Sequence, residues 1–189
     1  GIYDGFCRNH PNQTGLSATR VKVDQLPGKL EIDPLITFKD LIQGPFQQDL
    51  KTDVGDFIIY RKDGLVAYQL AVVADDIHQG ISHIVRGSDL LDSSPRQQFL
   101  FSMLGAKIPQ FAHIPLAYNV EGQKLSKQNH APALSGKSAS HNLFAALVFL
   151  NQCPPPELKG ASPSDILHWA TANWQLSAIP ARLHLPDNS

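Results

Sequence analysis

Between Phe57 and Val85 the sequence changes its hydrophobic period twice, and this limits the fold more than any other feature of the chain. Phe57-Ile58-Ile59-Tyr60 is a short apolar run closed by Lys62-Asp63-Gly64, the pattern of a strand ended by a turn. From Tyr68 to Gln79 the residues Leu70, Val73, Ala74 and Ile77 fall at i, i+3, i+4 and i+7, the spacing of one helix face. Gly80 is placed to end that helix. Ile81 to Val85 reads as a second strand. Strand, helix and strand within about 30 residues predict a βαβ unit with a right-handed crossover. The fold class is therefore α/β.

The flanks differ in texture. Residues 1–56 are rich in Gly, Pro, Asn and Gln. Arg20 to Asp24 and Lys29 to Asp33 alternate polar and apolar residues, and Ile36 to Phe46 adds a further strand, so this part reads as a small, mostly β, loop-rich region. Residues 57–134 continue the α/β pattern. Ser94-Pro95 opens a helix with Ser94 as N-cap and Pro95 at the first helical position. That helix runs through Phe99 and Leu100 to Leu104, and Gly105 ends it. Ala112 to Tyr118 is a third strand, and Asn119 to His130 is a polar loop with two lysines. Residues 135–189 read as helical. His141 to Gln152 carries Leu143, Leu147 and Leu150 on one stripe, and Pro154-Pro155-Pro156 breaks it. Ser162-Pro163-Ser164-Asp165 opens a last helix reaching about Trp174, and the tail after Pro180 is expected to be loose.

Composition narrows the function. Sixteen Lys and Arg stand against 17 Asp and Glu, a net charge of −1, which excludes coating nucleic acid by bulk charge but allows a local basic patch. The longest apolar stretches, such as Ala145 to Leu150, fall far short of the ~20 residues that span a bilayer. Two cysteines, Cys7 and Cys153, make no disulfide framework, and with no signal-peptide pattern a reduced, cytoplasmic setting is expected. Cys153 reads as a core residue. Asn12-Gln13-Thr14 matches a glycosylation sequon by pattern only.

In open α/β sheets ligands bind beyond the carboxyl ends of the strands. Tyr68 begins the first helix on the face opposite Leu70, Val73 and Ile77, together with Asp75. Arg86 ends the second strand, and Lys124-Leu125-Ser126-Lys127 follows the third. A tyrosine, an arginine and two lysines at one sheet edge suit an anionic ligand, because Arg grips a carboxylate bidentately and Lys is a movable charge for phosphate. Each residue alone has a plainer reading. Tyr68 could be a packing residue, Arg86 an ion pair with Asp89 or Asp75, and the lysine segment a solvated loop. Asp75-Asp76 reads either as a metal pair or as capping and packing partners.

Taken in order, Tyr68-Gln69-Leu70-Ala71-Val72-Val73-Ala74-Asp75-Asp76, His83-Ile84-Val85-Arg86-Gly87-Ser88-Asp89-Leu90-Leu91, Pro95-Arg96-Gln97 and Lys124-Leu125-Ser126-Lys127 resemble the glutamyl/glutaminyl branch of class I aminoacyl-tRNA synthetases. The extension Lys127-Gln128-Asn129-His130-Ala131-Pro132-Ala133-Leu134 is similar to the glutamyl-queuosine tRNA(Asp) synthetases, a family of shortened paralogues of glutamyl-tRNA synthetase. The likeness runs from Tyr3 into the last helices and is most specific between residues 56 and 134.

The resemblance implies the second half of a class I synthetase Rossmann-like nucleotide-binding fold, with a small β-rich insertion before it and a helical segment after it. It implies that Tyr68 and Arg86 bind L-glutamate, and that Lys127, with Lys124 and Ser126, handles ATP and the chemistry, with Mg2+ accompanying ATP. The family activates glutamate as an adenylate and transfers it to queuosine in the tRNA(Asp) anticodon arm. A mobile lysine where negative charge builds on departing pyrophosphate stabilises the transition state more than the ground state. Tyr3 and Cys7 resemble the last two ligands of the family's zinc site, whose Cys-x-Cys pair would lie upstream of Gly1, so Zn2+ is expected only with those ligands present. The family's amino-terminal half, with its His-x-Gly-His-type motif, has no counterpart here. His113-Ile114-Pro115-Leu116 matches instead the strand leading to the lysine loop. The chain is thus expected to be a fragment partnered by that half, inactive alone and not membrane-bound. Two rival readings remain: the core of a glutamyl-tRNA synthetase charging tRNA(Glu), and a non-catalytic RNA- or protein-binding remnant. Gln128-Asn129-His130 and the short helical end oppose the first.

Overall fold

The computed structural model describes residues 2–3, 5–10, 15–25, 33–119, 121–126, 133–134 and 139–186. Its elements, in chain order, are α1 Phe6–Asn9, β1 Thr19–Val21, β2 Leu35–Asp40, β3 Gly44–Asp49, β4 Phe57–Tyr60, α2 Tyr68–Gln79, β5 His83–Gly87, α3 Ser94–Met103, β6 Gln110–Ile114, β7 Leu116–Tyr118, α4 Ala139–Phe149, α5 Pro163–Asn173 and β8 His184–Pro186. A π-helical turn spans Leu50–Val54, and 3-10 turns span Ser88–Ser93, Pro156–Gly160 and Leu176–Ala178. The chain divides into two compact units: Gly1–Asp40, Pro45–Ile84 and Leu90–Phe111 form one; Leu41–Gly44, Val85–Asp89 and Ala112–Ser189 form the other.

In the first unit, β1 pairs antiparallel with β4, Val21 facing Phe57 and Arg20 facing Ile58. The core gathers Val21, Val23, Leu50, Phe57, Val73, Phe99, Leu100 and Phe101; α2 contributes Val73 from one face, whereas α3 is buried nearly all round from Ser94 to Phe101. Phe57 and Phe99 meet edge-on, ring centres 6.5 Å apart, a favoured aromatic geometry. β2 and β3 pair as a hairpin, with Gly44 at φ +83° supplying the left-handed turn residue. Phe38 on β2 packs on Phe46 of β3 at 5.6 Å and on Phe111 at 5.8 Å.

The second unit has two small cores. Ile42, Ala112 and Ile179 form one; Leu147, Ile166 and Ala170, joining α4 to α5, form the other. Ser162 caps α5, its hydroxyl accepting from the Asp165 amide at 3.2 Å and donating to the Asp165 carboxylate at 2.7 Å, as the Ser-Pro-Ser-Asp pattern predicts. Gln152, buried after α4, exchanges two hydrogen bonds with the Gln175 backbone: Nε2 donates to the carbonyl at 3.1 Å and Oε1 accepts from the amide at 2.9 Å.

Helix α2 has the predicted bounds, and Gly80 caps it at φ +65°. Val73 is the buried member of its stripe, whereas Ile77 is 36% exposed. Other expectations are corrected. The second strand lies two residues later than predicted, and β4 pairs with β1 rather than β5, while β5 pairs with β6 around α3. Ile36 to Phe46 is two strands, not one. Ala112 to Tyr118 is divided at Pro115, which has no N–H to give a ladder. Ser94 is not the N-cap of α3: the 3-10 turn runs directly into the helix, Ser93 takes that position without a side-chain capping bond, and Ser94 lies inside, its hydroxyl 3.5 Å from the Leu90 carbonyl. Cys153 is exposed, not core, at φ +49° beside Asn151 at φ +56°. Lys29 to Ile32, the sequon and Lys127 to Pro132 lie outside the described residues.

The tail is docked, not loose. β8 pairs parallel with β7, Leu116 facing His184. The Leu116 amide donates to the Leu183 carbonyl at 3.0 Å, the Ser88 hydroxyl donates to the same carbonyl, and Gln43 Nε2 donates to the Arg182 carbonyl at 3.1 Å. Removing residues 182–189 from the complete gene product should lower its Tm by roughly 5–10 °C, at ~1 kcal/mol per lost hydrogen bond. Calorimetry checks this; an unchanged Tm would show that β8 contributes nothing.

Candidate functional site

Arg86 is half-buried on β5, where exposed and sheltered residues alternate. Its Nε donates to Nε2 of His113 at 3.1 Å. His113, on β6, is fully buried. A guanidinium has donors only, so His113 Nε2 accepts and the ring proton sits on Nδ1. This partner is not the Asp89 or Asp75 considered from sequence. The sequence signal for such a pair is a histidine inside an apolar strand, since a buried ring nitrogen needs a partner.

One turn beyond Arg86, Asp89 Oδ2 accepts from Lys124 Nζ at 2.7 Å. Both side chains are partly exposed, so the pair adds little stability; its effect is to hold the first lysine of the Lys-x-x-Lys loop. Gly87 makes room: a Cβ there would lie 2.6 Å from Asp89 Oδ1 and 3.0 Å from Leu116 Cδ2. The loop's entry is ordered by Asn119, whose side-chain oxygen accepts from the Glu121 and Gln123 amides at 3.1 and 2.8 Å, an Asx-type turn. The Leu125 amide then donates to Ala117 at 2.9 Å, carrying Lys124 back along β7, with half-buried Ser126 next. Arg86, His113, Asp89, Lys124 and Ser126 thus all belong to the second unit. Lys127 is outside the described residues.

Tyr68 belongs to the first unit. It is the first residue of α2 and 51% exposed. Its chain neighbour Gln69 belongs to a side-chain relay: Gln97 Nε2 donates to Gln69 Oε1 at 3.0 Å, and Gln69 Nε2 donates to Ser93 Oγ at 3.3 Å. Asp76 accepts at its backbone carbonyl from Ile81, in keeping with a helix-end role.

Tyr3 and Cys7 also lie in the first unit. The Cys7 amide donates to the Tyr3 hydroxyl at 2.6 Å, and Arg20 stacks 4.3 Å over the Tyr3 ring. The Cys7 side chain beside it raises the Tyr3 phenol above its ordinary value, against the opposing effect of the Cys7 amide. Among the described residues no group of three His, Cys, Asp or Glu is placed to hold a metal. Two ligand-type side chains do not fit zinc's need for four. Arg8 bridges Asp56 and Asp24 nearby. The hydrogen bond with Asp56 chiefly raises Arg8, and Asp24, pushed up by burial, is brought below the usual carboxylate range by Arg8. That cluster ties α1 to Asp56, the residue just before β4, and to Asp24.

Among the described residues no helix is long and apolar enough to cross a membrane. Residues 12–150 match the family model described as tRNA synthetases class I (E and Q), catalytic domain. The chain is 48% identical over 180 residues to a glutamyl-Q tRNA(Asp) synthetase of Thiobacillus denitrificans, covering 95% of this chain and 57% of that protein. It is 45% identical over 187 residues to one of Pseudomonas aeruginosa PAO1, covering 99% and 61%. The structure resembles a glutamate tRNA ligase from Elizabethkingia meningosepticum with a TM-score of 0.67 at 20% identity, over 99% of this chain and 39% of that one. The chain spans about three-fifths of the length of the curated relatives it matches. With the family model covering most of the chain and the α/β architecture agreeing, the chain belongs to the class I tRNA synthetases of the glutamyl and glutaminyl type, within their catalytic domain.

Proposed function

We propose that this chain is part of an enzyme that activates glutamate with ATP and transfers it to queuosine in the anticodon loop of tRNA(Asp). The observation that carries this reading is the identity of 44% to 48%, over nearly all of the chain, to glutamyl-Q tRNA(Asp) synthetases. The chemistry has two steps. A glutamate carboxylate oxygen attacks the α-phosphorus of ATP and pyrophosphate leaves; a queuosine hydroxyl then attacks the acyl carbon and AMP leaves. Arg86 neutralises a substrate carboxylate and Tyr68 adds a directional hydrogen bond. Lys127, with Lys124 and Ser126, meets the phosphates, where Mg2+ accompanies ATP. The Asp89–Lys124 pair supports this by holding one phosphate-binding cation at the loop's entry. Tyr3 and Cys7 are two zinc-type ligands that further residues would have to complete.

Glutamate-dependent ATP–pyrophosphate exchange by the complete gene product tests the reading. Arg86→Ala should raise the glutamate KM at least ~tenfold, and Arg86→Lys should not restore it, because a point charge does not replace a planar fork. Lys127→Ala should cost ~2–4 kcal/mol in exchange with glutamate binding largely kept. No exchange with glutamate, or mutants matching the parent, would refute the assignment; charging of tRNA(Glu) in place of tRNA(Asp) would favour the glutamyl-tRNA synthetase reading.

Gly87→Ala should disturb ATP rather than glutamate. Its Cβ would press on the Asp89 carboxylate and displace the partner of Lys124, so the ATP KM should rise by roughly threefold to tenfold, about 1 kcal/mol. An unchanged ATP KM would show that the Asp89–Lys124 pair plays no part in ATP binding.

A further inference from the structure

We infer that His113 is a positioning residue for Arg86, holding the guanidinium plane in place through its Nε. The inference rests on the reading of Arg86 as the glutamate-binding arginine. Three observations carry it. His113 is fully buried on β6. Its Nε2 accepts from Arg86 Nε at 3.1 Å. Its own backbone carbonyl is pinned by Gln43 Nε2 at 2.8 Å, and that amide also donates to the Arg182 carbonyl at 3.1 Å.

The guanidinium is planar, so a bond to Nε helps set the direction of both terminal amines. An acceptor fixed on a strand therefore limits the rotamer freedom that a long cationic side chain would otherwise lose on binding substrate. The choice of acceptor also matters. A carboxylate at this point would compete with the substrate's carboxylate for the same cation. An imidazole accepts the Nε–H without adding a negative charge of its own. Gln43 extends the arrangement by tying the strand that carries His113 to the chain just before β8, so the docked tail helps hold His113 in place.

The experiment is ATP–pyrophosphate exchange by the complete gene product, with glutamate KM, ATP KM and kcat measured separately and Tm recorded for each variant. His113→Phe keeps an aromatic ring and removes the acceptor. His113→Gln can place an amide oxygen where Nε2 lies. His113→Asn is equally polar but too short to reach. The expected result is a glutamate KM raised about tenfold in His113→Phe and His113→Asn, with ATP KM unchanged, and held within about threefold of the parent in His113→Gln. Where His113→Phe does not fold, the Gln and Asn pair decides the matter alone. Parental glutamate KM in both His113→Phe and His113→Asn overturns the inference. So does an equal loss in Gln and Asn, with glutamate KM, ATP KM and Tm all affected, because that is the behaviour of a purely structural histidine. Arg86→Ala separates the two levels. A raised glutamate KM in Arg86→Ala with a parental value in His113→Phe removes the positioning role alone. A parental value in Arg86→Ala removes the glutamate reading itself.

Discussion

A half-buried guanidinium has only donors, so the fold must set acceptors around it. In this chain Arg86 has the ring nitrogen of His113, a residue with no exposure of its own. The demand reaches outward from there. β5 and β6 must pair to bring the two side chains together. Gln43 ties β6 to the tail, and the tail closes onto β7. β7 then leads into the Asn119 turn that returns Lys124 to Asp89. Two cations are thus held by neighbouring stretches of the second unit, with the His113 ring among the partners of the arginine and the Asp89 carboxylate among those of the lysine.

These contacts suit the chemistry of the ligands in the proposed reaction. An arginine that grips a carboxylate gains from having its plane set before the substrate arrives. A lysine that follows phosphate during pyrophosphate release is better placed by a partly exposed ion pair of small net energy, which orients it and leaves it mobile. Gly87 lies between the two and has no side chain because Asp89 occupies that space.

Much of this was legible in the sequence wherever a local rule decides the structure. Helix α2 follows from the spacing of Leu70, Val73, Ala74 and Ile77 and from Gly80, and α5 from Ser162 and Asp165. The ordered motifs around Tyr68, Arg86 and Lys124 pointed to the family that residues 12–150 match. What was not legible depends on partners distant in sequence. A three-residue strand such as His184–Pro186 has no periodicity to read, and its docking is set by β7, far upstream. The pairing of β4 with β1 instead of β5 is likewise a tertiary choice. Ser94 has the residue types of a cap, but the preceding 3-10 turn already supplies the helical backbone that a cap would begin. His113 carried a signal that composition hides, namely a polar ring in an apolar strand.

The most direct test of the central claim is the position of the glutamate on the RNA. Labelled glutamate, ATP and the complete gene product are incubated with queuosine-containing tRNA(Asp), and the RNA is then cut by nuclease into anticodon-loop and 3′-terminal fragments. The account predicts label in the anticodon-loop fragment, and none when the tRNA lacks queuosine. Label on the terminal adenosine of the 3′ fragment would contradict it.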